Sequence, residues 1–478
     1  MFQLDTWSIG IKQNNYKFDY DVAIIGGGSA GYAAARTSVA AGLRVVVIDG
    51  GAEAGGLCIL RGCMPTKSLL YAAEAMHFAG KLQTWGILAG NVGFDFGQVM
   101  ARKNGFIKDL ATSRREELSA GKFKFLRGCA CFVDPHTVEV SGHGPLKSAK
   151  FVITTGSSVA PPPLPGFDEV GYLTSDDALE LTRLPESLVI LGGGAVAVEF
   201  AQFFARFSVR VTLLQRSEHL LSDSDKDVAK VVEKVFRREG IDVFTNTKIT
   251  GVRRESHGKT VSFEHEGLAR SVSAEEIMLA IGRDPNTASL DLAKAGVATE
   301  RGRIVADECM RTGMPHIFAA GDCTGPHAIV HLAVRQGEIA AHNIIHPGSQ
   351  RKMDARLLLA VIFTDPQVAQ VGLTEKSATK LGIPYLVASY PFSELGKSVI
   401  MDTTDGHVKL LADPKSGEIL GGACVGPLGG ELIHEIVMAM AKRVSVQELA
   451  ALPHYHPTLA EIWTYPAEEL AGRITSGD

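Results

Sequence analysis

Two stretches of the chain share one order of apolar and small residues. The first opens with a β-branched run, Val22 to Ile25, then passes through a cluster of glycines. An Ala-rich stretch of helical character follows, and a second apolar run, Val45 to Ile48, closes it. Short apolar runs bounded by turn residues predict buried parallel strands, and the segment between them predicts a crossover helix. The order recurs further on: Leu188 to Leu191, a glycine cluster, a helical stretch, and Val209 to Leu214. Two βαβ units predict an α/β chain. No apolar run approaches the roughly 18–20 residues that cross a bilayer, so no membrane partner is expected.

The glycines give these units a chemistry. Gly26, Gly28 and Gly31 follow the first strand, with Ser29 opening the helix and Asp49 ending the second strand. This is the G-x-G-x-x-G fingerprint of a Rossmann-like domain in its strand–turn–helix setting. The first glycine permits the tight turn, the second lets a pyrophosphate approach the backbone, and the third lets helix and strand pack. The helix N-terminus favours the phosphate charge. Asp49 is placed to accept hydrogen bonds from a ribose diol. The second unit has Gly192, Gly194 and Ala197, an allowed variant, but its strand ends in Gln215 and Arg216 where an acid would select a 2′-hydroxyl. That second site leans towards NADP(H). Two dinucleotide folds in one polypeptide suggest a held flavin and an exchanging nicotinamide, with a hydride passing between them.

Composition sets bounds. The 478 residues have room for about three domains. Hydrophobic content of 45% and charged content of 21% are those of a soluble globular protein. A net charge of −5, with no basic run, gives no sign of a nucleic-acid partner. The first 18 residues lack the features of a secretion signal or a transit peptide, so a cytoplasmic location is expected. Seven cysteines are too few, at this length, for a disulfide scaffold.

Two of these cysteines stand out. In GGLCILRGCMPTK, Cys58 and Cys63 are five residues apart. No second cluster completes a zinc site, so no metal is expected. Cys129 and Cys131 alternate as a strand would and read as packing residues; Cys309, Cys323 and Cys424 read as buried fillers. Five residues of regular helix rise roughly 7.5 Å and turn roughly 500°. A disulfide needs Cα atoms within roughly 6.8 Å, so bridging this pair requires a broken helix. Gly62 permits the break. Pro65 and the residues after it predict a helix start, which places Cys63 near a positive helix end and lowers its thiol pKa. The pair reads as redox-active, with a purely structural bridge second.

GGLCILRGCMPTK resembles the active-site signature of the flavoprotein disulfide reductases, a family that includes dihydrolipoamide dehydrogenase, glutathione reductase and mercuric reductase. The resemblance extends from Asp19 almost to the end of the chain. It takes in TTGSS (154–158), LAIGRDPN (279–286), IFAAGDCTG (317–325), VIFTDPQVAQVGLTE (361–375) and HYHPTLAE (454–461). It implies two Rossmann-like domains and a C-terminal α+β dimerisation domain. The expected division is an extension at 1–18, an FAD-binding domain at 19–165 that resumes at 288–355, an NAD(P)-binding domain at 166–287, and an interface domain at 356–478. The PPPLPG stretch marks the first junction.

The resemblance also implies roles. Cys63 is the thiol next to the flavin and Cys58 the interchange thiol. His456 is the base, oriented by Glu461. Lys67 and Glu199 match an ion pair beside the flavin N5, and Asp322 bonds the flavin's ribityl–pyrophosphate region. Thr155, Gly156, Gly282 and Arg283 fall in the matching segments, and Ala328 and His331 follow the last flavin motif; all six are expected to bind cofactor. A homodimer with shared active sites is implied, acting on a small-molecule or protein-borne disulfide or dithiol.

Within the family, AGYAAAR (30–36) and the doubled histidine look most like dihydrolipoamide dehydrogenase. Mercuric reductases carry a C-terminal cysteine pair, whereas this sequence has no cysteine after Cys424, so mercuric ion is not the expected substrate. Gln215 stands where dihydrolipoamide dehydrogenases keep a glutamate, and Arg61 is unusual before the Gly-Cys. The alternatives are a glutathione-reductase-like or other NADPH-dependent disulfide or quinone reductase, or a flavoprotein component of a larger complex.

Overall fold

The computed structural model describes residues 17–90, 92–120, 122–325 and 327–476. All but the last two residues of the expected extension at 1–18 therefore lie outside the described residues. The described residues divide into two compact units, one of residues 17–54, 116–120, 122–156, 285–325 and 327–352, the other of residues 55–90, 92–115, 157–284 and 353–476.

The first unit is built on a parallel sheet. Its strands run in the order Lys124–Arg127, Val45–Asp49, Tyr20–Ile25, Gly144–Ile153 and Ile317–Ala319. Strands Ala130–Asp134 and Thr137–Val140 extend it antiparallel beyond the first half of Gly144–Ile153. Val22 to Ile25 and Val45 to Ile48 are buried, as continuous apolar strands covered on both faces must be. Helix Ser29–Ala40 crosses between them and packs on helix Val330–Ile345. The approach is close: a Cβ on Gly337 would lie 2.2 Å from the Ala30 carbonyl oxygen.

The second unit holds a second parallel sheet, in the order Asp242–Phe244, Arg210–Leu214, Ser187–Leu191 and Glu276–Leu279. Its second strand starts one residue later than the apolar pattern predicts. The Val209 N–H is taken by the Phe204 carbonyl, closing the helix before it. A three-stranded antiparallel sheet of Lys248–Glu255, Gly258–His265 and Leu268–Ala274 follows. The C-terminal part is a five-stranded antiparallel sheet, in the order Leu359–Ile362, Gln367–Gly372, Ile419–Gly426, His407–Ala412 and Leu386–Pro391. Helices Gly429–Ala441, Val446–Ala450 and Thr464–Ser476 contribute Ile433, Ile436, Leu449 and Leu470 to the core it shares.

Helix Cys63–Gly80 belongs to the second unit. Its Leu69, Leu70 and Ala73 enter one core with Phe200, Phe203 and Phe204 of helix Ala195–Arg206. The cysteine helix is thus packed on the helix that opens with the second glycine fingerprint.

Candidate active site

Both glycine turns have the geometry of a phosphate cradle. Gly26 has φ +111°, and a Cβ there would lie 2.3 Å from the Thr154 carbonyl oxygen. A Cβ on Gly31 would lie 1.9 Å from the Gly26 carbonyl oxygen, so the helix packs where only glycine fits. Asp49 is buried and accepts from the Gly27 N–H at 3.2 Å and the Gly51 N–H at 2.8 Å. Its carboxylate is held against the turn, with acceptor capacity left for a diol. Gly27 was not singled out from the sequence, yet a Cβ there would lie 2.5 Å from Asp49 Oδ2. The run of three glycines, Gly26 to Gly28, was the available signal. Thr154 was also missed; its hydroxyl donates to the Gly26 carbonyl at 2.8 Å. The donor set and the glycine cradle fit a dinucleotide.

The other residues of this unit gather around the same sheet. Thr155 and Gly156 follow strand Gly144–Ile153, and their carbonyls accept from Asn286 Nδ2 at 3.1 Å and Asn286 N–H at 3.0 Å. Asp322 follows strand Ile317–Ala319. Ala328 is exposed just before helix Val330–Ile345, and His331 is exposed in that helix's first turn.

The second turn repeats the pattern. Gly192 has φ +124°, and a Cβ there would lie 2.2 Å from the Ala280 carbonyl oxygen. The place of a Cβ on Gly194 is open, as an approaching phosphate requires. Ala197 is fully buried. Gln215 is buried against Gly193 and accepts from the Arg216 N–H at 3.0 Å. The Arg216 side chain is exposed, and no ion pair engages it among the described residues. Gly282 has φ +122° and its carbonyl accepts from the Ala160 N–H. Arg283 donates to the Ser157 hydroxyl at 2.9 Å and the Ser157 carbonyl at 2.7 Å.

The two cysteines sit at a helix break. Cys58 is in the short helix Gly56–Leu60, and Cys63 is the first residue of helix Cys63–Gly80, with Gly62 at its N-cap. A Cβ on Gly62 would lie 2.9 Å from the Leu57 carbonyl oxygen and 3.2 Å from Cys58 Cα. Glycine is what lets the two helices close on one another. Both thiols are free and half-buried, and each perturbs the titration of the other. Cys63 is pulled down to about 7, first by the hydrogen bond from the Cys58 thiol and then by the Lys67 ammonium, against the cost of burial. Cys58 is pushed up, first by its hydrogen bond to Cys63 and then by burial. One thiolate shared towards Cys63 is the arrangement that results.

Lys67 lies one turn after Cys63. Its ammonium donates to both oxygens of Glu199, at 2.9 and 2.7 Å. Glu199 also accepts from the Phe363 N–H at 2.9 Å, a partner that no sequence signal had marked.

His456 Nδ1 is 3.0 Å from Glu461 Oε2. The buried carboxylate has only acceptors, so Nδ1 carries the proton and Nε2 is left free as the basic nitrogen. The His456 side chain is 76% exposed. Among the described residues no hydrogen bond joins it to Cys58 or Cys63. His454 is spent structurally: its Nε2 meets Glu435 at 2.8 Å and its Nδ1 meets the Thr464 hydroxyl at 2.8 Å.

The remaining cysteines divide. Cys309, Cys323 and Cys424 are buried, as expected of fillers. Cys129 is exposed, contrary to the packing expectation. Strand Ala130–Asp134 turns Ala130 and Phe132 inward, so Cys129 and Cys131 fall on the opposite face, where Cys131 is half-buried. Among the described residues no helix is long and apolar enough to cross a membrane.

Residues 20–337 match the family described as Pyridine nucleotide-disulphide oxidoreductase, and residues 359–467 match its dimerisation domain. A dihydrolipoyl dehydrogenase of Geobacillus stearothermophilus is 33% identical over 464 residues, covering 96% of this chain and 97% of that one. A mercuric reductase of Streptomyces lividans is 36% identical over 462 residues, covering 95% and 97%. Among solved structures, the HOCl-induced flavoprotein disulfide reductase RclA from Escherichia coli superposes with a TM-score of 0.83 at 29% identity, covering 94% of this chain and 99% of that one.

Proposed function

The chain belongs to the pyridine nucleotide-disulphide oxidoreductase family, and from that premise we propose a dihydrolipoamide dehydrogenase-like enzyme whose redox pair is Cys58 and Cys63. The observation that carries the proposal is the polarised thiol pair at the helix break. FAD and a pyridine nucleotide are the family's cofactors, and bound FAD supplies two-electron transfer between the nicotinamide and the cysteine pair. The Gly26–Gly31 turn with Asp49 would hold FAD. The Gly192–Ala197 turn would hold the nicotinamide dinucleotide. Thr155, Gly156, Gly282, Arg283, Asp322, Ala328 and His331 remain assigned to these cofactors on the family resemblance. The domain boundaries near residues 165, 287 and 355 belong to the same proposal, as does a cytoplasmic location.

The thiol chemistry follows from the residues. Cys58 is the interchange thiol, and its raised pKa means that it needs a base to become a nucleophile. His456 Nε2 takes that proton, and Glu461 stabilises the imidazolium. The Cys58 thiolate attacks one sulfur of the substrate disulfide. A mixed disulfide forms, and the departing thiolate takes the proton back from His456. Cys63, already a thiolate, then attacks the Cys58 sulfur, releases the second thiolate and closes the Cys58–Cys63 bridge. The reverse sequence oxidises a dithiol. The exposure of His456, with no bond to the cysteines of its own chain, favours a two-fold dimer in which the base serves the other subunit.

For the nicotinamide, the buried amide of Gln215 offers no carboxylate to a diol, and the exposed Arg216 can pair with a 2′-phosphate. NADPH should be used at least as well as NADH, and Arg216→Ala should weaken NADPH more. A strong native preference for NADH refutes that part.

The experiment for the whole reading is two-electron reduction of the flavin-loaded protein. A long-wavelength charge-transfer absorption should appear, survive in Cys58→Ser and vanish in Cys63→Ser. A Cys63→Ser protein that keeps the band reverses the role assignment. A turnover panel of lipoamide, glutathione disulfide, a quinone, oxygen and Hg(II) then identifies the acceptor.

A further inference from the structure

Lys67 is held by more than its ion pair. Besides the Phe363 N–H on Glu199, the Phe363 ring faces the Lys67 ammonium, with 4.9 Å from Nζ to the ring centroid. The backbone beyond Phe363 is fixed from the helix that carries Glu199. Gln202 Oε1 accepts from the Asp365 N–H at 2.7 Å, and Gln202 Nε2 donates to the Asp365 carbonyl at 2.7 Å. Arg206 pairs with Asp365 Oδ2 at 2.8 Å. Glu199, Gln202 and Arg206 are spaced i, i+3 and i+7, so one face of helix Ala195–Arg206 grips residues 363–365.

A lysine ammonium is a point charge on a flexible four-carbon stem. A carboxylate alone lets it pivot. A carboxylate on one side and an aromatic face on the other confine it, because the ring's quadrupole attracts the cation. Cys63 and Lys67 are four residues apart on one helix, so the confined charge sits beside the thiol.

We propose that Phe363 is a positioning residue for the thiol pair: its N–H orients Glu199, and its ring confines the Lys67 ammonium beside Cys63. This rests on the reading of Cys58 and Cys63 as the redox pair. Phe363 acts through Lys67 and has no part in the exchange chemistry.

The test is a titration of the Cys63 thiolate in the flavin-loaded Cys58→Ser protein, followed by ultraviolet thiolate absorption and by the pH dependence of alkylation. Phe363→Leu should raise the midpoint by about half a unit to one unit, an approximately three- to tenfold loss of thiolate below it. Phe363→Tyr keeps an aromatic face and should keep the parent midpoint. Lys67→Met should raise the midpoint by itself, and adding Phe363→Leu should change nothing further. Phe363→Met, which also lacks a ring, serves if the leucine variant does not fold. The proposal is overturned if Phe363→Leu titrates like its parent, or if its shift persists in the Lys67→Met background. A parent whose Cys63 titrates as an ordinary thiol overturns the redox-pair reading as well; a low parent midpoint with no effect of Phe363→Leu overturns the positioning role alone.

Discussion

The largest influence holding Cys63 at about 7 is the hydrogen bond from the Cys58 thiol, ahead of the Lys67 charge. That ordering can be tested by comparing two substitutions at one position. Cys58→Ser keeps a donor beside Cys63, whereas Cys58→Ala removes it and changes little else. A hydrogen bond to a charged group contributes roughly 1.5–3 kcal/mol, and one pKa unit corresponds to about 1.4 kcal/mol. Half-burial and a weak sulfur acceptor favour the low end, so Cys58→Ala should raise the Cys63 midpoint by about one unit, towards the ordinary thiol value. Cys58→Ser should stay within a few tenths of a unit of the present value. The sign follows from charge: the donor stabilises the thiolate, so its loss favours the thiol and moves the titration to higher pH. The assay is the charge-transfer absorption of the flavin-loaded variants across pH, with alkylation rates as an independent measure. If the two variants titrate together, the thiol hydrogen bond is not the main influence, and Lys67 with the helix N-terminus must account for the lowered value.

Four further outcomes are expected. Lys409 is 2% exposed and bonds Asp225, Asp227 and Glu375 at 2.8–2.9 Å, so Lys409→Met should cost about 3–5 kcal/mol in urea unfolding near neutrality, less at acid pH where the stranded carboxylates protonate, and a loss under about 1 kcal/mol refutes this. The same network gives an acid limit: Asp227 lies below its ordinary value in the fold, so its contribution is present above the ordinary carboxylate range and is lost as pH falls through its folded value. Gly31→Ala forces a Cβ onto the Gly26 carbonyl, so the folded variant should purify with little flavin absorption, and full flavin occupancy contradicts the cradle. Cys58→Ser and His456→Ala homodimers should each be nearly inactive, and equal co-expression should restore roughly a quarter of parent activity, since half the dimers are mixed and each has one intact site of two; isolated mixed dimers without activity mean that His456 serves its own chain.

What the sequence made legible is what sterics and short-range chemistry dictate. Gly26 and Gly192 sit at positive φ against a carbonyl, so no other residue fits, and the fingerprint is readable without a structure. The helix break between Cys58 and Cys63 follows from the length of five residues and the size of a disulfide, and it falls at Gly62 as that argument requires. Cys129 and Cys131 were placed on the wrong face: strand Ala130–Asp134 turns Ala130 and Phe132 inward, and alternation then puts both cysteines on the other side. Phe363 was illegible for a different reason. Its partners, Glu199 and Lys67, lie more than 160 residues upstream in the chain, and its contribution is half backbone, which no residue pattern encodes.

The site combines local parts with distant ones. The cofactor turns are local: each is a strand, a glycine cluster and a helix within about 30 residues, as a crossover unit must be. The thiol pair is local as well. The electrostatics that tune the thiols are not. Lys67 takes its position from Glu199, Glu199 takes its orientation from Phe363, and Phe363 is fixed through Gln202 and Arg206 on the helix that opens with Gly194. A substitution on any of these elements that leaves both cysteines in place therefore reaches the thiolate as well as the fold. Relatives that share the Cys58–Cys63 motif but differ at residues 199, 202, 206 or 363 should differ in thiol titration, and the motif alone will not predict by how much.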